Sequence, residues 1–353
     1  MGDIQPMRQA RSNQFDPDAP PWLHCISRCV RRAFLCGEGL EHRKRWLENR
    51  LRLLTECFAI DIAAYAIMSN HLHVVLQARP HLVQDFSDEQ VARAYLAIRS
   101  NTDPSDPQTA PDPAVVRRYQ EQESLIATWR QRLGSVSWFM KALKEPLARK
   151  ANAEDDCTGA FWEGRFTSVP LLDQAALVAC MAYVDLNPLR AGIAQTPEKS
   201  PYTSLAARLG QSPATAAIGS PERVQDDGGP QPHISDASGW LLPIAAATTW
   251  HERAQGWSLT QYLELVDATG RCIRGDTAGA IDPRLPDMLA RLGADLDAQA
   301  WVQSVATPQG LRGTALGQLA SLSAEAARRG ARWIQTRCSL FARRRLSLDG
   351  SSA

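Results

Sequence analysis

The chain has 353 residues, 44% hydrophobic and 22% charged, with 39 lysines and arginines against 38 aspartates and glutamates. That composition fits a globular protein with room for roughly two domains, and it excludes a collagen-like or wholly disordered chain. A net charge of +1 gives no overall basic field, so any contact with a polyanion must come from local patches.

Residues 1–20 are polar and proline-bearing, read as disorder and not as a secretory signal. No window reaches the roughly 18 consecutive apolar residues of a membrane span. Eight cysteines lie scattered without a Cys-x-x-Cys pair, so zinc-knuckle spacing is absent. The expectation is a cytoplasmic chain with reduced thiols.

Alternation over residues 22–30 predicts a first strand, with Cys25, Ser27 and Cys29 on one face as structural residues. After the Gly37-Glu38-Gly39 turn, an apolar stripe of Trp46, Leu47, Leu51, Leu54 and Phe58 predicts a helix over 41–58. Its Arg43, Lys44, Arg45, Arg50 and Arg52 fit a solvated face better than a DNA patch. Residues 60–67 read as a second strand, and Met68-Ser69-Asn70 as a tight turn into a third, antiparallel strand.

That third strand carries His71-Leu72-His73-Val74-Val75-Leu76. Residues i and i+2 of a strand share a face, so His71 and His73 project side by side while Leu72 and Val74 pack behind them. Paired imidazoles can start a divalent-metal site, or can simply be polar residues on a wet strand face.

Residues 80–135 read as a helical insertion, with a Pro/Asp-rich loop at 102–113 between helices at 89–99 and 114–132. A helix over 137–153 follows, with Pro146 inside it, and then a fourth strand over 161–170. Asp173 as N-cap opens a helix over 174–187 that Pro188 stops. The order strand, helix, two strands, helix, strand predicts an α+β, ferredoxin-like antiparallel sheet.

On the 174–187 helix, Tyr183 and Asn187 lie four residues apart and share a face. A tyrosine can form a covalent intermediate, but a phenol with a pKa of about 10 needs help at neutral pH. A metal polarising a phosphate would supply it, and His71, His73 and Asn187 would make a three-ligand site with positions left for substrate oxygens. A tyrosine packed in the core and a helix-ending asparagine are the plain alternatives.

The run Met68 to Leu76 resembles the histidine motif of HUH-type single-strand DNA transposases. Residues 182–192, Ala-Tyr-Val-Asp-Leu-Asn-Pro-Leu-Arg-Ala-Gly, resemble the tyrosine-helix motif of the same group, and residues 159–166 fit the segment that links them. Together they resemble the REP-associated tyrosine transposases over roughly residues 20–209. The resemblance implies an HUH catalytic domain that cuts and rejoins single-stranded DNA at hairpin-forming palindromes through a 5′-phosphotyrosine, with Mg²⁺ or Mn²⁺. It implies Tyr183 as nucleophile, His71 and His73 as metal ligands, and Asn187 where relatives place a polar third ligand. It implies single-stranded DNA with hairpin-forming palindromes as the partner, no membrane, and a monomer or homodimer. A non-catalytic protein that binds repeat hairpins is the alternative.

For gripping a single strand, which needs cations and stacking platforms, the candidates are Arg28, Arg31, Arg32, Lys144, Trp162, Arg165, Phe166 and Arg190. Trp162 fits a core position equally well. Residues 210–239 read as a Pro/Gly/Ala-rich linker and 240–353 as a helical region, with helices at 258–266, 285–296 and 299–305. Its tail, 328–345, holds seven arginines and no acid, suited to DNA backbone contact or to a solvated helix end.

Overall fold

In the computed structural model, the described residues are 20–101, 109–194, 197–213, 236–249, 256–273, 315–331 and 334. The N-terminal stretch, the loop at 102–108, most of the 210–239 linker, the helices expected at 285–305 and nearly all of the arginine tail lie outside them.

Four strands form one antiparallel sheet: β1 (Trp22–Arg28), β2 (Ile60–Ile67), β3 (His71–Ala78) and β4 (Thr167–Leu171), in the order β2-β3-β1-β4. Helix α1 (Glu41–Cys57) connects β1 to β2. Between β3 and β4 come α2 (Asp88–Ser100), α3 (Pro113–Gln120), α4 (Glu123–Leu133) and α5 (Val136–Glu154). With α1 and α5 as the two crossover helices, this is the ferredoxin-like arrangement that the element order predicts.

The two faces of the sheet have different partners. Leu23, Cys25, Leu72, Val74 and Leu76 join α1 and α5 in one core. Trp22, Ala64, Ala66, Val75, Val169 and Leu171 join the second, built on α6 (Gln174–Asp185). Ten of the twelve residues of α6 are buried, so it is a helix apolar nearly all round, flanked on both sides. Its outer side is covered by α9 (Ile244–Thr248), α10 (Leu259–Ile273) and the helix Leu319–Arg328. These follow α7 (Asn187–Arg190) and α8 (Ser204–Arg208).

Both ends of α6 are tied to this C-terminal covering. At its start, Asp173 caps the helix by accepting from the Ala176 amide and also accepts from the Gln318 amide at 2.6 Å. At its end, the buried Asp185 accepts from Ser204 Oγ (2.5 Å), the Leu205 amide (3.0 Å) and Tyr262 Oη (2.6 Å). Burial raises the Asp185 carboxyl above its ordinary value, and these three donors and Arg208 offset only part of the rise.

The structure corrects several expectations. Arg43, Lys44 and Arg50 of α1 are buried, not on a solvated face. Arg43 pairs with Glu154 and Asp155, and Arg50 donates to Ile98 O, Ala142 O and Asn101 Oδ1, so these cations tie α1 to α5 and α2. The strand expected over 161–170 begins only at Thr167. Its first half is an irregular run joined to the end of β1 by a Cys29–Trp162 bridge and by Glu163 N–H donating to Arg28 O. The helix expected over 174–187 breaks at Leu186, and Asn187 opens α7. Cys25, Cys29, Cys36, Cys57, Cys157 and Cys180 form no disulfide. Among the described residues no helix is long and apolar enough to cross a membrane.

Candidate functional site

The face of the sheet toward α6 carries its histidines toward one end. There the register sets Arg28 opposite His71 and Ile26 opposite His73, with His24 one pair further along, opposite Val75. His71 and His73 do project together, their ring centroids 4.8 Å apart and nearly perpendicular. Tyr183, half-buried on α6, faces them: its ring lies 5.9 Å from His73 and 6.1 Å from His24, edge-on to both. Arg190, on α7, places its guanidinium carbon 4.6 Å from the centre of the Tyr183 ring, within cation–π range. Two strands and two later helices therefore bring His24, His71, His73, Tyr183 and Arg190 to one place.

The turn before β3 fixes the first imidazole. Met68 N–H donates to His71 O, and the amides of Cys29 and Cys36 donate to Asn70 O and Ser69 O, pinning Ser69 and Asn70 to the segment that follows β1. Asn70 Nδ2 donates to Arg32 O at 3.1 Å, which orients its amide, and its Oδ1 lies 2.6 Å from His71 Nδ1. An amide oxygen only accepts, so His71 carries its proton on Nδ1 and keeps a lone pair on Nε2. His73, almost fully buried, has its Nδ1 2.8 Å from Nε2 of the buried His24.

All three imidazoles are held neutral. Burial, helped by the neighbouring His71, lowers His24 to about 3. Burial and then Arg28 lower His71 to about 4. His73 falls well below its ordinary value, first by burial and then through His24, His71, Arg28 and Arg190. In the unfolded chain these rings take up protons near pH 6.5, whereas in the folded protein they resist until much lower pH. Their contribution to stability is therefore complete above 6.5 and is lost as pH falls through 4. Urea unfolding of the metal-free protein at a series of pH values is expected to show that loss in wild type and a smaller one in His24→Leu.

Neutral imidazole is the form that binds a metal, and two such rings can hold a divalent ion whose other positions go to water or phosphate oxygens. The protein offers no wider set of strong ligands: among the described residues no group of three His, Cys, Asp or Glu side chains could hold a metal. Asn187, at the start of α7, is buried, with an amide nitrogen that has no hydrogen-bond partner among the described residues. The two neutral imidazoles of β3 are thus the donors that fit a divalent ion.

The remaining predicted residues divide by exposure. Arg28, Arg31, Arg32 and Arg165 are exposed, and Arg31 and Arg32 hold the left-handed backbone conformation (φ 53° and 56°). Trp162 and Phe166 are corrected: both are buried in the core beside α5. Trp162 donates from Nε1 to Lys144 O, with the buried Lys144 ammonium over its ring, so neither aromatic presents a free face to a base. His24 was not visible as a site residue in the sequence. It reads there as one position of an alternating strand, and only the β1–β3 register brings it beside His73.

No family model matches this sequence, and no curated protein does. Among solved structures the chain is similar to one described as "Structure of the REP associates tyrosine transposase bound to a REP hairpin". The likeness has a TM-score of 0.33 and 11% identity, and it covers 60% of this chain and 90% of that one.

Proposed function

We propose that this protein cuts and rejoins single-stranded DNA beside hairpin-forming palindromic repeats through a 5′-phosphotyrosine, as a transposase-like member of the single-tyrosine HUH group acting in the bacterial cytosol. The observation that carries this reading is the meeting of a half-buried tyrosine, two neutral imidazoles from a strand and an arginine at one end of the sheet. The motifs around His71 and Tyr183 support it independently.

In this reading His71 and His73, with the Asn187 amide, hold Mg²⁺ or Mn²⁺. Such an ion, when bound, polarises a phosphoryl oxygen as a Lewis acid. Arg190 and Arg28 face the phosphate and offset its charge, while Arg31, Arg32 and Arg165 meet neighbouring phosphates. Tyr183 Oη forms a bond to phosphorus as the bond from phosphorus to the 3′ oxygen breaks. The phenol gives up its proton and the departing 3′ oxygen gains one. One diester replaces another, so a later 3′-hydroxyl can reverse the step without ATP. Positioning and charge stabilisation account for most of such chemistry, which is why so few side chains suffice.

The test is to incubate the full chain with Mn²⁺ and 5′- or 3′-labelled hairpin oligonucleotides carrying single-stranded flanks. A protein–DNA adduct that survives denaturing electrophoresis, carries the label 3′ to the cut and vanishes with EDTA is the expected result. Tight hairpin binding with no adduct under any divalent ion would replace this reading with a non-catalytic hairpin-binding protein. Cleavage without a covalent link would mean a metallohydrolase.

A further inference from the structure

We propose that His24 and Asn70 are positioning residues that set which nitrogen of His73 and His71 carries the proton, so that both imidazoles offer Nε2 to the cation. The inference rests on the metal reading above and goes beyond it, because neither residue is a ligand or belongs to the tyrosine chemistry.

Asn70 does this for His71 in the tautomer already described, since its Oδ1 can only accept from Nδ1–H. The bond from Asn70 Nδ2 to Arg32 O keeps that oxygen turned toward the ring. His24 plays the matching part for His73. The His24 Nε2 to His73 Nδ1 bond of 2.8 Å can be made by either of two tautomer pairs. Only the pair in which His73 donates leaves a lone pair on His73 Nε2. His24 then bears its own proton on Nδ1, a buried atom with no hydrogen-bond partner among the described residues. A neutral ring in this outer position has a further effect that a carboxylate would not. It orients the ligand without adding negative charge, and the positive potential of Arg28 and Arg190 stays available to a phosphate. Hydrogen bonds of this kind behind metal-bound histidines typically change metal affinity by about 10–100-fold when removed.

The experiment uses the full chain and measures Mn²⁺ binding by electron paramagnetic resonance, with thermal melts as a check on folding. His24→Leu and Asn70→Leu are each expected to weaken Mn²⁺ by about 10–100-fold. His24→Gln and Asn70→Asp, which keep an acceptor oxygen, are expected to recover most of that loss. If His24→Leu and Asn70→Leu bind Mn²⁺ as wild type does, the inference falls while the metal reading stands. If wild type binds no Mn²⁺, the metal reading itself falls. Should the leucine variants not fold, ¹⁵N–¹H spectra of the wild-type imidazoles with Mg²⁺ present decide the matter. Protons on Nδ1 of both His71 and His73 support the assignment, and a proton on Nε2 of either overturns it.

Discussion

Tyr183→Phe is expected to abolish the covalent protein–DNA adduct, with a loss of at least about a thousandfold, while hairpin binding and thermal stability stay near wild type. The change removes one oxygen and keeps the ring. The ring's contacts with His73, His24 and the Arg190 guanidinium are made by its faces and edges, so packing is preserved. A surface-reaching substitution of this size ordinarily moves stability by no more than about 0.5 kcal/mol. The measurements are a denaturing gel with Mn²⁺ and labelled hairpin, a gel-shift titration and a melting curve. An adduct that persists in the phenylalanine variant would assign the nucleophile elsewhere. A large fall in melting temperature would mean that the hydroxyl serves the fold.

Asp185→Ala, two residues further along the same helix, is expected to do the opposite and cost about 3–5 kcal/mol of stability. Its carboxylate is fully enclosed and serves three donors from two different segments, Ser204 and Leu205 of α8 and Tyr262 of α10. Alanine leaves a buried hydroxyl, a backbone amide and a phenol without acceptors. Urea unfolding gives the size of the loss. Tyr262→Phe, which removes a single donor, is expected to cost about 1 kcal/mol. Equal and negligible losses in both variants would show that the network contributes nothing to holding α6.

What the sequence revealed follows from which features are local. β2 falls on the residues that alternation marks, α1 and α5 follow their apolar stripes to within a residue or two, and Asp173 caps α6. The side-by-side projection of His71 and His73 needs only the two-residue period of a strand. What stayed hidden depends on contacts between distant segments. Arg43 and Arg50 look solvated on a helical wheel because their partners, Glu154 and Ile98 O among them, belong to other helices. Trp162 looks like a stacking platform until α5 is seen packed against it. His24 gains its importance from strand register. The Asp185–Tyr262 bond spans 77 positions and leaves no periodic trace.

The way α6 is wedged between the sheet and the C-terminal helices also determines how the chain can be divided. On a linear map the segment up to residue 209 reads as self-sufficient, holding every group assigned to the chemistry. Cut there, it would bare the greasy back of the helix that carries the tyrosine, free its start from Gln318 and leave its end without the Tyr262 bond. A trimmed version is therefore a poor stand-in for the whole, and its silence in an assay would report a loosened lever and not a missing activity.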